Sequence, residues 1–360
     1  MLGGGLSGLA VATLLAERGV RVEIRDRRAM SGGRFEGGFQ VLENGSRPQD
    51  VLAELDVLGF GRPPEVVPLT SAVLLDSELR RWEVSSREPY AYLVRRGGGR
   101  ASLDGWLEDR AKSAGVRIRR GVSGHAVPPD VVATGPRRAD GAAREVVFRT
   151  DHADLIAVLF DPALTPTGYA YLFVHDGWGT IGAARVRGLT RLRESARSAF
   201  ARLDEAFPMA REVVGEKVLF MNFGLPSHLR SGATWYVGEA AGVQEFLFGL
   251  GNRLALRSAA LVARAVAGDG FDADGFRRDL VVPMTASIAA RAAYERLGPR
   301  LVRFGCRWLA AGDFRQRLIR LQSPTVPHQA VARMVMMAWR ERRGCPHLPV
   351  ARWCRRVEEG

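Results

Sequence analysis

The residues with the clearest chemical potential open the chain. Gly3, Gly5 and Gly8, within GGGLSG, have the G-x-G-x-x-G spacing, and the acid Asp26 follows. In a crossover into a helix, the first glycine makes a tight turn and the second lets backbone approach a pyrophosphate. The third lets the helix pack closely on its strand. Leu6 and Ser7 complete the turn, where free amides and the positive end of the helix dipole suit phosphate. An acid about 20 residues on can accept hydrogen bonds from a ribose. This set points to a dinucleotide site. Arg27 follows the acid, and Arg34 closes Ser31-Gly32-Gly33-Arg34. That loop can bring backbone and a guanidinium to phosphates, or it is a glycine loop with a surface arginine. A second glycine set lies far downstream: Gly238-Glu239 at a strand end, then Gly249, Gly251 and Asn252 before a long helix. There an acid can accept from sugar-type hydroxyls, and amides before a helix can meet a carbonyl or phosphate.

Stepping outward from these residues, each needs an element to hold it. Leu9, Val11, Ala12, Leu14 and Leu15 give a helix, Arg18-Gly19 stops it, and Val20 to Ile24 gives a strand ending at Asp26. Only Met1 and Leu2 precede Gly3, so the strand that normally introduces this motif is expected to begin upstream, or to have been cut away. Val131 to Gly135 reads as a buried strand ending in Thr134-Gly135, where a cofactor can touch backbone. Residues 142–184 alternate apolar and polar, the period-2 signal of an antiparallel sheet. An inserted antiparallel sheet is a sensible substrate platform. Beyond residue 270 the pattern is helical, with Pro299, Gly312, Pro324 and Pro327 as breaks. The expected division is a discontinuous nucleotide domain (1–60, 95–140, 230–270), a sheet domain (61–94, 141–229) and a helical basic region (271–360).

Bulk properties narrow the class. The chain has 360 residues, 46% of them apolar and 25% charged, ordinary for a globular protein. No run of about 18 apolar residues suggests a membrane span. Three cysteines, Cys306, Cys345 and Cys354, suggest reduced thiols and a cytoplasmic setting. Net charge is +13, and residues 287–360 hold 15 Arg against 5 acids, which is +10 of it. With Met334, Met336, Met337, Trp339 and Trp353 among the arginines, this region can lie against an anionic membrane. Ordinary helix packing with a wetted basic face is the alternative, and the favoured one. No fold motif supports nucleic-acid binding. Cys345, His347 and Cys354 make a partial ligand set, short of the four of a structural zinc, so no metal is assigned.

In order along the chain, GGGLSG, Asp26, VVATG, GYAYLF and VGEAAG…GLGNR resemble the flavoproteins that include aromatic hydroxylases, flavin halogenases, lycopene cyclases and geranylgeranyl reductases. The geranylgeranyl reductases fit best: Tyr169, Tyr171 and Phe173 match their Tyr-x-Trp-x-Phe-Pro stretch in kind. Tyr171 stands for Trp, Val174 for Pro, and Gly238-Glu239 for the usual Gly-Asp. The resemblance spans roughly residues 1–270. It implies an α/β Rossmann-like FAD-binding domain with an inserted antiparallel sheet for substrate. By it, Gly3, Gly5, Gly8 and Asp26 hold the ADP half, Arg34 lies near the phosphates and Thr134-Gly135 near the adenosine. Glu239 binds ribityl or phosphate, and Gly249 to Asn252 face the flavin ring. The resemblance also implies that Tyr169, Tyr171 and Phe173 line the substrate pocket, the plain alternative being an ordinary sheet core. The implied reaction is reduction of carbon–carbon double bonds in a prenyl or similar apolar substrate. NAD(P)H or ferredoxin would supply electrons, Tyr171 or His175 a proton, and a lipid substrate would place the protein at a membrane face. An aromatic hydroxylase, a non-redox cyclase and a degenerate fold without catalysis are the rival readings. A halogenase should carry Trp-x-Trp-x-Ile-Pro and a catalytic lysine; the motif is missing, and the only lysines are Lys112 and Lys217.

Overall fold

The computed structural model describes residues 1–124, 128–136, 139–165, 167–337 and 350–354, without the side chains of 297, 299, 300 and 351–354. Its first helix, α1 (Leu6–Ala16), starts at the glycine turn and is buried on most sides, with Leu9, Ala10, Val11 and Ala12 at 0% exposure. The small residues let it sit deep between the neighbouring helices, where each buried leucine contributes about 2 kcal/mol of transfer free energy. Then come β1 (Glu23–Asp26), β2 (Phe39–Glu43), α2 (Val51–Val57), β3 (Val67–Leu69), β4 (Ser71–Leu75), β5 (Arg81–Ser85) and β6 (Ala91–Arg95). Next are α3 (Leu103–Ser113), β7 (Arg117–Arg120) and β8 (Val131–Val132). β1 pairs in parallel with β7. The expected strand before Gly3 is represented by Leu2. It bridges in parallel to Arg25 on one side and to Val132 on the other. The Leu2 amide donates to Val131 O at 2.9 Å, and the Ala133 amide donates to Leu2 O at 2.7 Å. β1 and β8 therefore find backbone partners there, as buried strands must.

The second layer is a seven-stranded sheet. β9 (Gly141–Arg149), β10 (Leu155–Leu159), β11 (Tyr169–His175), β12 (Trp178–Arg185) and, after α4 (Leu192–Ala206), β13 (Glu212–Met221) join β4 and β5 in the order β13-β9-β12-β11-β10-β4-β5. Its pairings are antiparallel except β10 with β4, which is parallel. Apolar residues of α4, including Ala196, Ala199 and Leu203, cover one face. The other face carries Tyr171 and Phe173 into a separate core with Leu69, Leu93, Leu309 and Phe314. Strands β3 and β6 both pair antiparallel with their neighbours in a small sheet of order β2-β6-β3. Their apolar patterns fit either sheet, and only tertiary contacts decide.

Short strands β14 (Gly224–Pro226), β15 (Arg230–Ser231) and β16 (Thr234–Tyr236) return the chain to the first layer, where β16 pairs in parallel with β8. α5 (Asn252–Val266) packs on α1. The helical region follows as α6 (Ala273–Phe276), α7 (Val282–Ala310), α8 (Phe314–Gln322) and α9 (Val326–Met337), and β17 (Ala351–Cys354) pairs with β14. α7 joins two expected helices across a kink at Gly298, where φ is +57°. Among the described residues no helix is long and apolar enough to cross a membrane.

Candidate functional site

A cavity of about 800 Å³ runs between the first layer and the broad sheet. Its polar end is built by backbone. Gly3 has φ +95°, and a Cβ there would lie 2.3 Å from Ala133 O. Gly8 does not line the cavity, but a Cβ on it would lie 2.0 Å from Gly3 O, so this glycine lets α1 close on its own turn. Asp26 accepts from the Gly4 amide at 2.5 Å and from the Arg28 amide at 2.8 Å. One carboxylate thus fixes the glycine turn against the segment after β1 and lines the cavity between them. Arg27, Thr134 and Gly135 line the same end.

The second glycine set meets the first. Gly238 has φ +58°, and a Cβ there would sit 2.7 Å from Ser7 Oγ, so the two crossovers touch. Arg34 pairs with Glu239 at 2.8 Å across the junction. Arg34 Nε and Glu239 Oε1 are buried yet have no hydrogen-bond partner. Unpaired buried atoms of this kind are costly, so a donor- and acceptor-rich ligand belongs beside them. Helices α2, α3 and α8 begin on the side-chain caps Asp50, Ser102 and Asp313, whereas α1 and α5 begin on Gly5 and Gly251 with none. Gly249, Gly251 and Asn252 all line the cavity. The Asn252 side chain is already engaged, donating to Val41 O at 2.9 Å and accepting from Arg96 at 2.7 Å.

The other end is apolar. Tyr169, Tyr171 and Phe173 of β11 face it with Ile156 and Val158 of β10, Phe160 just after that strand, and Ala72 and Leu74 of β4. Leu309, Phe314 and Leu318 close it from the helical region. Tyr171 and Phe173 stack at 5.1 Å, and Tyr171 and Tyr169 lie 5.9 Å apart. Gly182 makes this possible, since a Cβ there would lie 2.2 Å from the Tyr171 ring. Lining residues run from β13 to β4, five strand steps or about 24 Å at ordinary strand spacing.

Of the two proton donors suggested by resemblance, His175 is not brought to the cavity. It sits at the end of β11, where Nδ1 contacts Asp154 at 2.6 Å. Tyr171 lines the cavity, but its hydroxyl donates to Glu145 rather than into open space. The sequence reading passed over Glu145 and Glu43, both buried and both cavity-lining. A signal existed for Glu145: a glutamate amid the apolar residues of GAAREVVFR, at a buried register. Burial raises the Glu145 carboxyl above its usual range, against the opposing Tyr171 hydroxyl. Burial also pushes Glu43 up to about 7, with Arg253 resisting. Cys345 and His347 lie outside the described residues, as does the Cys354 side chain. Trp339, Arg340, Arg342 and Arg343 lie outside them too. No group of three or more His, Cys, Asp or Glu that could hold a metal occurs among the described residues.

Residues 2–47 match the NAD(P)-binding Rossmann-like domain family. A carotenoid phi-ring synthase from Streptomyces griseus is 50% identical over 46 residues, which is 13% of this chain and only 9% of that enzyme. Whole-chain likeness comes from solved structures. A geranylgeranyl bacteriochlorophyll reductase-like protein from Thermoplasma acidophilum superposes with a TM-score of 0.71 at 14% identity, covering 92% of this chain and 94% of that one. A flavin-dependent brominase gives 0.64 at 14% identity, covering 94% and 97%. The chain therefore shares its fold with these proteins, a Rossmann-like domain joined to a broad mixed sheet.

Proposed function

We propose that the chain is an FAD-dependent oxidoreductase that reduces carbon–carbon double bonds of a prenyl or similarly apolar substrate. The observation that carries this reading is one cavity joining a glycine-walled polar end to an aromatic and aliphatic chamber. The residues fit the cofactor. Gly3, Gly5 and the amides of Leu6 and Ser7 would hold the pyrophosphate at the start of α1. Asp26 would meet the adenosine ribose, and the unpaired atoms of Arg34 and Glu239 would meet phosphate and ribityl oxygens. Gly249 to Asn252 would face the ring. Bound there, reduced FAD would supply a hydride. Tyr169, Tyr171, Phe173 and Phe160 would hold an alkene flat against the sheet and keep water from it. The likeness to a reductase-like protein supports the substrate class, and the electron donor would be NAD(P)H or ferredoxin. Access to a lipid substrate would favour contact of the basic helical region with a membrane.

The test is direct. Purified protein should carry the visible spectrum of FAD. Anaerobically reduced protein should be reoxidised by a polyprenyl alkene and not by a saturated analogue. Reduced flavin that no such alkene reoxidises would remove the reductase assignment. Oxygen-dependent consumption of NAD(P)H with a small phenol would replace it with a hydroxylase.

A further inference from the structure

We propose that Glu145 is the proton donor of this site, delivering the proton from Oε2, and that Tyr171 and Gln40 serve to hold it. The inference rests on the reductase reading above and names the group that completes it. Reduction of an alkene needs a proton as well as a hydride, and a carbon base takes that proton only from a group lining the cavity. Several side chains there are already committed. Tyr171 points its hydroxyl hydrogen at Glu145. Tyr169 points its own at Phe248 O, 2.6 Å away. Burial raises both phenols, which makes them poorer acids.

Glu145 is different. It is 0% exposed, on β9, and lines the cavity. Its Oε1 accepts from Tyr171 Oη and, at 2.6 Å, from Gln40 Nε2 on the opposing small sheet. Two donors on one oxygen make that oxygen the carbonyl-like one. The acid hydrogen then belongs on Oε2, which is buried and has no partner. Three other buried acids are engaged. Glu54 is clasped by Arg253 and Arg257, and Asp104 by Arg96. Glu245 accepts the amides of Leu247 at 2.7 Å and Phe248 at 2.6 Å. Glu43 also has an oxygen without a partner, but the field of Arg253 and Arg257 acts on it, whereas Tyr171 ties Glu145 to the ring row of the apolar chamber.

The charged neighbours suit a proton that leaves and returns. Lys217 is the cross-strand partner of Glu145 on β13, and its ammonium donates to Glu36 O at 2.7 Å instead of neutralising the acid. Arg34 adds positive potential from the polar end. Burial outweighs these groups and keeps the carboxyl above its usual range. In the step, bound reduced flavin would supply a hydride to one alkene carbon and Glu145 Oε2 would give its proton to the other. The π bond, the flavin N–H bond and the Oε2–H bond would break, two C–H bonds would form, and the hydride would carry two electrons from the flavin. The carboxylate that remains is held by Tyr171, Gln40 and the field of Lys217 until solvent returns a proton.

The experiment uses flavin-loaded protein and the variants Glu145→Gln and Tyr171→Phe. Glu145→Gln should bind FAD with an unchanged spectrum, slow alkene-driven reoxidation on the order of 100-fold or more, and lose one carboxylic-acid band in the infrared at neutral pH. Reoxidation within about 3-fold of native, or no change in that band, would overturn the proposal. Tyr171→Phe removes a donor that favours the carboxylate, so the pH profile of reoxidation should move upward; an unmoved profile would also overturn it. If no alkene reoxidises the native protein, the reductase reading falls, while the infrared comparison still decides whether Glu145 holds a proton.

Discussion

The two ends of the cavity are built on opposite principles. The polar end is made of backbone, with glycines whose Cβ atoms would strike other main-chain atoms and a carboxylate holding amides in place. The apolar end is made of side chains on a sheet, and its shape comes from ring stacking and from one glycine that leaves room for Tyr171. Backbone cannot yield, so the first end should tolerate almost no change. Side chains can repack, so the second should degrade gradually.

The largest expected effect tests that contrast at its stiff extreme. Gly8→Val places a branched side chain where even Cβ lies 2.0 Å from Gly3 O. The variant should lose upwards of about 4 kcal/mol and all bound flavin; soluble yield and the visible spectrum would report both. Next, Arg34→Ala leaves the partly buried Glu239 without its 2.8 Å partner. Flavin affinity should weaken on the order of 10- to 100-fold with little change in fold, measured by titrating the apoprotein with FAD.

These positions also show what could be read from the chain alone. The glycine turn, Asp26 and the second glycine set were legible because their chemistry depends on local backbone, so spacing along the sequence encodes it. The apolar end was legible only as an alternation. Whether Tyr169, Tyr171 and Phe173 faced a cavity or a plain core depended on which sheet lay opposite. The patterns of β3 and β6 likewise do not say which sheet they join, because pairing partners are chosen by tertiary packing. Glu145 escaped notice because its meaning lies in Tyr171 and Gln40, 26 and 105 residues away.

A third prediction concerns charge between the two ends. Glu43 has a folded pKa of about 7 against an ordinary value of 4.5. The folded protein therefore holds a proton that the unfolded chain releases, and stability falls as pH rises from about 4.5 through 7. Glu43→Gln should remove this loss. It should stabilise the protein on the order of 1–3 kcal/mol at pH 8 and much less near pH 5, as read from denaturant melts at both values. Equal effects at the two pH values would show that Glu43 does not titrate in this range. The smallest effect belongs to the yielding end. Phe173→Leu loses one stacked ring, 5.1 Å from Tyr171. It should cost less than about 1.5 kcal/mol and leave flavin content untouched, which a thermal melt beside a spectrum would check.

The broad and small sheets are stitched at two neighbouring points, where the Phe39 amide donates to Thr180 Oγ1 at 2.8 Å and Gln40 donates to Glu145. They cannot hinge apart to admit a bulky guest without tearing both stitches. The β13 margin is open by contrast: Val218 and Phe220 line the cavity there and stand half in solvent. A greasy doorstep there would let a long guest thread in lengthwise while the ring-lined floor stays still.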